Sequence, residues 1–511
     1  MKTLHRITIL YLIIPFIIFC MGWLRLSVAI PATIIIVWAV WQLFKQIPPV
    51  QLPITNYQFP YYLLLITFTW TLLSGVGGYT FQNWDHHWRN AVLHDLINYD
   101  WPVFYSTPES GPIKMLVYYV GYWLPSALVG KLLGWQAANF FLFLWTWLGV
   151  TLVALHLASA LKTAPTKAIL LLIFFSGMDA LGTLFLAPEY PTLFPAMTHL
   201  EIWNGSLQYS SFTTQLFWVF NQAVPAWLCI MSIVTLSDSE GSLLQNHETL
   251  RSAQSDIRGQ LFLLWSLCFF FAPLASIGLL PYLLIELIKQ TNFKSPFKNL
   301  RWDILLAAVI IFLLSAFFFT SNTAAQSRGF QSLALKDFFI FFLLEGGILW
   351  LLLAPVKWRD PRWTVTGLLL AIIPFIELGS GNDFVMRASI APLFYLMMMV
   401  GEVIFQNTPP RVLRFTFYFL LLLGSLTPLY EMDRSVYRTY EYYFVPKETD
   451  CSCDALLQVT HLEQGGAPEL EHQDTLVADE IRTLQYMDDK LSKNFIANVR
   501  QSLYYRYISS R

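Results

Sequence analysis

Four stretches of the chain carry side chains whose types and spacing suit chemistry. In FQNWDHHWRNAVLHDLINYDWPVFY (81–105), Asp85, His86, His87 and Arg89 crowd together just after an apolar run. A carboxylate beside imidazoles and a guanidinium can take a proton and hold an anion in one place. A helix cap would use Asp85 alone, since Asp is a good N-cap residue. It would need neither the two imidazoles nor the guanidinium. In segment 187–213, Glu189, His199 and Glu201 stand among Trp, Tyr and Asn. Rings and amides together suit a polyhydroxylated ligand, whose C–H faces stack and whose hydroxyls need paired donors and acceptors. The alternative is an aromatic membrane-interface belt with a few solvated charges. SNTAAQSRGFQSLALKD (321–337) offers Arg328, and GSGNDFVMRAS (379–389) offers Asn382, Asp383 and Arg387. Either arginine can grip a phosphate through two N–H groups. Arg328 is otherwise an ordinary solvated loop residue, and Asp383–Arg387 an i,i+4 ion pair.

The elements that hold these residues follow from composition. Of the 511 residues, 56% are hydrophobic and only 13% charged. Ordinary soluble domains carry about 25% charged residues. The chain is therefore a multi-spanning membrane protein, not a soluble enzyme or a disordered segment. The 32 basic and 33 acidic residues balance, so no basic surface offers itself to nucleic acid. Five cysteines are too few for a disulfide scaffold. Cys451 and Cys453 have only His461 nearby, which is a poor metal set. No phosphate-loop or dinucleotide-type glycine pattern is present, which argues against ATP- or NAD-dependent chemistry of those types.

Apolar runs occupy 7–25, 28–45, 60–79, 115–133, 137–160, 168–186, 214–236, 259–288, 302–320, 338–354, 364–378, 388–405 and 412–429. These give an expected all-α polytopic bundle of about 13 segments, each needing about 20 residues to span. Residues 1–429 form this transmembrane domain. Residues 430–511 form a small polar tail, too short for a sturdy core of its own. Lys2, Arg6 and Lys45, then Lys289, Lys294, Lys298 and Arg301, then Lys357, Arg359 and Arg362, then Arg411 and Arg414 mark cytoplasmic loops. The expected topology puts the N-terminus in the cytoplasm and the tail outside the cell membrane. Parity between 80–114 and 289–301 requires either that 259–288 cross once, or that it form a hairpin while another run fails to span. The hairpin reading satisfies the charge rule, with 115–133, which carries Pro125, as the run that fails. Val92, Leu93, Leu96 and Ile97 form the stripe of an amphipathic surface helix within 80–114. All four polar stretches then fall on the outer side.

An early helix, an outer loop opening on an acid, a surface helix and then WP together resemble the first outer loop of GT-C superfamily glycosyltransferases. THLEIWNGSLQYSSFTTQLFWVFNQAVPAWL and GNDFVMRASIAPL are similar to a bacterial branch of that superfamily. The resemblance spans roughly 60–430. It implies a GT-C-like bundle that moves a sugar from a polyprenyl-phosphate donor to a glycan, lipid or protein acceptor on the extracytoplasmic face. It implies Asp85 as the catalytic acid of the first loop. Two apolar runs precede that loop here, and His86 and His87 stand where a second acid is often found. In such a site Asp85 deprotonates the acceptor, and Arg328 and Arg387 hold the departing phosphate. His86, His87, Arg89, Glu189, His199, Glu201, Asn382 and Asp383 bind substrate. No cofactor is implied, and a divalent metal is left open.

Two other classes compete. A transporter or flippase of a lipid-linked or anionic substrate would also have many helices, but would carry internal repeats and midplane charges. An oligosaccharide polymerase or ligase would carry a large outer loop late in the chain. The topology is open to test by single cysteines at Ser452 and Ser295 in a cysteine-free background. An impermeant thiol reagent should label the first in intact cells and leave the second untouched. Equal labelling would sink the arrangement.

Overall fold

The computed structural model describes residues 2–46, 61–186, 196, 199–205, 207–246, 257–291, 300–322, 328–379, 383–406, 410–445, 483–487 and 492–510. Helices α1 (Lys2–Trp23), α2 (Leu26–Gln46) and α3 (Tyr61–Leu73) lead to α4 (Trp84–Asn98). A hairpin of β1 (Phe104–Ser106) and β2 (Lys114–Leu116) follows, then α5 (Leu124–Leu133), α6 (Trp135–Ala160), α7 (Pro165–Phe174) and α8 (Asp179–Leu186). The middle holds α9 (Phe212–Asn246), α10 (Arg258–Phe271), α11 (Pro273–Gln290) and α12 (Trp302–Phe319). Then come β3 (Arg328–Phe330), α13 (Leu335–Phe342), α14 (Ile348–Lys357), α15 (Pro361–Ile372), β4 (Ile376–Leu378) and α16 (Asp383–Ala388). The chain finishes with α17 (Ile390–Phe405), α18 (Arg411–Gly424), α19 (Leu426–Phe444) and β5 (Ile496–Asn498).

Among the described residues, nine helical stretches are long and apolar enough to cross a membrane: 3–23, 26–45, 135–160, 165–186, 212–237, 302–319, 335–357, 383–405 and 411–444. Shorter apolar helices cover 61–73, 258–271 and 361–375. This is a multi-pass helical membrane protein. The expected 13 runs and these helices differ at identifiable places. Run 115–133 becomes a strand, a 3-10 turn (Val120–Trp123) and the ten-residue α5. At 1.5 Å per residue α5 is about 15 Å long, half of what a span needs. Pro125 sits in its first turn and starts the helix rather than breaking it. Run 259–288 is a hairpin. Ala272 leaves helical geometry (φ −148°, ψ 75°), and the Trp265 indole donates to the carbonyl of Ser276 at 2.9 Å. A continuous helix would hold those residues about 16 Å apart. Pro273 opens the second arm, while Pro281 lies inside it.

The bundle has two chemically different ends. At one, Arg6 donates to the carbonyl of Phe44, the His5 and His156 rings meet, and Gly401 lies against Leu161. Lys357 and Arg362 both pair with Glu402 at this end. The other end carries strand pairing. β2 sits between β1 and β5 in one small antiparallel sheet, and β3 pairs with β4 in another. There the final described residues fold back: Leu24 bridges Ser509, and Arg500 donates to the carbonyls of Glu109 and Gly111 at 2.7 Å each.

Close helix crossing fixes this second end. A Cβ on Gly278 of α11 would stand 2.0 Å from the carbonyl oxygen of Ala388 in α16. Backbone against backbone cannot give way cheaply, so Gly278→Ala should cost about 1–3 kcal/mol. Thermal unfolding in detergent checks this against Gly329→Ala, whose added methyl meets nothing within 4 Å and should be neutral.

Candidate functional site

Asn83, and not Asp85, caps α4: its side-chain oxygen accepts from the Asp85 amide at 3.1 Å. The capping role is therefore taken, and the Asp85 carboxylate faces elsewhere. It accepts from Arg89 one turn on, Nη2 to Oδ2 at 2.8 Å, and keeps about a quarter of its surface exposed. Arg89 is buried and also donates from Nε to Asn221 Oδ1 at 3.3 Å. Asn221 is presented by a bend in α9, where Val219 takes φ −136° and ψ 35°. Pro225 explains the bend, because it has no N–H for the carbonyl four residues back.

Across from α4, α16 carries Asp383 and Arg387, paired at 2.5 Å with Arg387 buried. The two acid–arginine pairs line one cavity of about 280 Å³. Its walls are aromatic: Trp84 and Trp88 from α4, Tyr118 and Tyr119, and Phe319 at the end of α12. The turn of the α10–α11 hairpin adds Pro273 and Leu274. The fold-back segment closes it, with Phe495 stacked on Trp88 at 5.4 Å between centroids. Asn322 donates from Nδ2 to the carbonyls of Val117 (2.7 Å) and Asn494 (3.0 Å), tying three elements of the rim together. Burial pushes the Tyr118 hydroxyl up to about 12 and the Tyr119 hydroxyl higher still, so both remain O–H groups at neutral pH.

Two guanidinium nitrogens at this cavity lack a partner among the described residues: Arg89 Nη1 and Arg387 Nε, both buried. Buried N–H groups of a cation left unpaired are costly, and the two arginines put positive charge on the wall of a cavity that can take an anion.

Other candidate residues fall elsewhere. His86 is buried behind Asp85. Its Nε2 meets the carbonyls of Ser74 (3.1 Å) and Phe217 (3.0 Å), and Nδ1 lies 3.3 Å from the Gln82 amide. Burial, with Arg89 beside it, holds its imidazole down to about 4, so it is a neutral tether of α4 to α9. His87 contacts the edge of Trp88 and does not line the cavity. Arg328 lies in the exposed strand β3, opposite Leu378, also outside the cavity lining. Glu189 and Asn382 lie outside the described residues.

His199 and Glu201 belong to a separate buried network. The stretch after residue 199 is not a solvated loop: Trp203 donates to Glu345, half-way along the span 335–357, at 2.8 Å. His199 Nδ1 lies 2.5 Å from Glu431 of α19, which also takes Trp218 and Arg434. Burial opposes protonation of His199, but the Glu431 carboxylate outweighs it and raises the imidazole above its ordinary value. Glu201 accepts from Gln208, the Ser211 amide and the Thr214 hydroxyl at 2.7–2.8 Å. Burial nevertheless pushes its carboxyl up to about 7, with nearby Asp179 adding to the rise.

Sequence reasoning missed Tyr118, Tyr119 and Phe495 as walls of the cavity. No local signal marks them. It also passed over Asp179 and Glu345, although an ionisable residue inside an apolar run is itself a signal. The chain matches no protein-family model, and neither curated proteins nor solved structures give a significant match to it.

Proposed function

We propose that this chain is a membrane glycosyltransferase that takes a sugar from a polyprenyl-phosphate donor, in the manner of GT-C enzymes. The observation that carries the reading is the convergence of Asp85 with Arg89 and Arg387, each with one buried nitrogen that has no partner among the described residues, in one aromatic-walled cavity at a bundle end. The carboxylate accepts the proton of an attacking hydroxyl. Arg387 and Arg89 neutralise the phosphate that departs from the sugar C1, and Arg89, not Arg328, is the partner the cavity favours. The aromatic walls suit the C–H faces of a sugar. Pro273, Leu274 and Phe319 give the lipid end of the donor an apolar side. Basic residues cluster at the opposite end of the bundle, which supports an extracytoplasmic site.

The transporter reading has one observation in its favour: spans 165–186 and 335–357 are both interrupted and meet at their interruptions. Purified protein in lipid nanodiscs, given polyprenyl phosphates bearing different radiolabelled sugars and an envelope extract, decides between them. Release of polyprenyl phosphate with label in an acceptor supports transfer. Label that crosses a proteoliposome membrane unchanged, with no transfer, overturns it.

A further inference from the structure

The two interrupted spans bring together a pair of acids that the cavity does not use. The first span leaves helical geometry at 175–178, between α7 and α8. The second contains a π-turn, Leu343–Gly347, between α13 and α14. The interruptions are stitched by a backbone hydrogen bond, Met178 N–H to Leu344 C=O at 2.9 Å. Gly177 allows the approach, because a Cβ there would meet Glu345 Oε2 at 2.4 Å.

Asp179 opens α8 and is fully buried, and Glu345 in the π-turn is 2% exposed. Asp179 Oδ2 accepts from Ser176 and from Thr427 of α19, each at 3.0 Å, and Glu345 Oε1 accepts from Trp203. The remaining oxygen of each carboxyl, Asp179 Oδ1 and Glu345 Oε2, has no donor among the described residues. Asp179 directly follows Met178 and Glu345 directly follows Leu344, so the stitched backbones bring the two acids together.

Two carboxylates cannot sit bare and adjacent inside a membrane protein. The groups facing them do not neutralise them. Glu201 faces both and offers no positive charge, and Tyr209 faces Glu345 as a neutral hydroxyl. On α19, Arg434 is spent on Glu431, which also holds His199. Among the described residues no group of three or more His, Cys, Asp or Glu side chains is arranged to hold a metal ion.

We propose that Asp179 and Glu345 form a buried proton-binding site, in which one exchangeable proton taken from water bridges Asp179 Oδ1 and Glu345 Oε2 and holds the two interrupted spans together. Deprotonation leaves two facing charges and loosens the contact between the spans. The site is separate from the Asp85 cavity and does not depend on the transferase reading.

The test uses the full-length protein in nanodiscs. Infrared difference spectra between mildly acidic and alkaline buffer should contain a protonated-carboxyl C=O band that shifts in D2O. Glu201→Gln should leave part of that band. The double variant Asp179→Asn/Glu345→Gln, whose amides supply a fixed N–H bridge, should lose the remainder. Thermal unfolding of the wild-type protein should shift downward as pH rises, because the folded state binds the extra proton. The double variant should lose that part of the shift. A wild-type spectrum without the band overturns the proposal, even if neither variant folds. So does a band unchanged in the double variant. So does a melting temperature that rises with Na+ over choline in the wild-type protein only, which would make the bound cation a sodium ion.

Discussion

Asp85→Asn should abolish sugar transfer while leaving the fold intact. A positioned general base contributes about 10²–10⁴-fold, and turnover with a labelled donor should fall by that range. The fold should survive, because the α4 cap belongs to Asn83. The amide oxygen of the new side chain can still accept from Arg89. What is lost is the charge of a pair whose acid is a quarter exposed, so the expected stability cost is below about 1 kcal/mol. Measuring kcat and the melting temperature side by side separates the two effects. A variant that melts normally and transfers at the wild-type rate would remove Asp85 as the base.

The second large effect is expected at Arg387. Arg387→Lys keeps the charge but loses the planar fork, including the Nε–H that has no partner among the described residues. Loss of a preorganised donor to a developing anion costs about 10²–10³-fold in kcat. The defect should appear in donor binding or turnover and spare acceptor affinity. The competing explanation is the ion pair with Asp383 on the next turn of α16. The swap Asp383→Arg/Arg387→Asp discriminates them. If the arginine serves only the pair, the swap should recover much of the activity lost by either single change. If it grips phosphate, the swap places a carboxylate against the anion and activity stays lost.

Asp85, Arg89, Asp383 and Arg387 were legible in the sequence because each stands at the edge of an apolar run, where an ionisable group needs a reason. The spans were legible for the same cause, since a run of apolar side chains has few other uses. Their interruptions were not. Residues 175–178 and the Gly346–Gly347 pair are as apolar or small as their surroundings, and hydropathy cannot see a change of backbone geometry. Arg328 looked equivalent to Arg387 by composition alone. Only the packing of α11 against α16 and the pairing of β3 with β4 separate a buried guanidinium from an exposed one. His199 reads as a loop residue because its partner Glu431 lies more than two hundred positions away.

Phe495 helps close the cavity by stacking on Trp88, which stands far earlier in the chain. Contacts so far apart along the chain form late, since the loop between them must be closed first. During translation, α4 and its acid–arginine pair wait in an incomplete chamber until the strand at 496–498 pairs with β2. The chamber is therefore finished only once synthesis has passed residue 498, and a shorter chain has no walled site in which to hold the proposed donor.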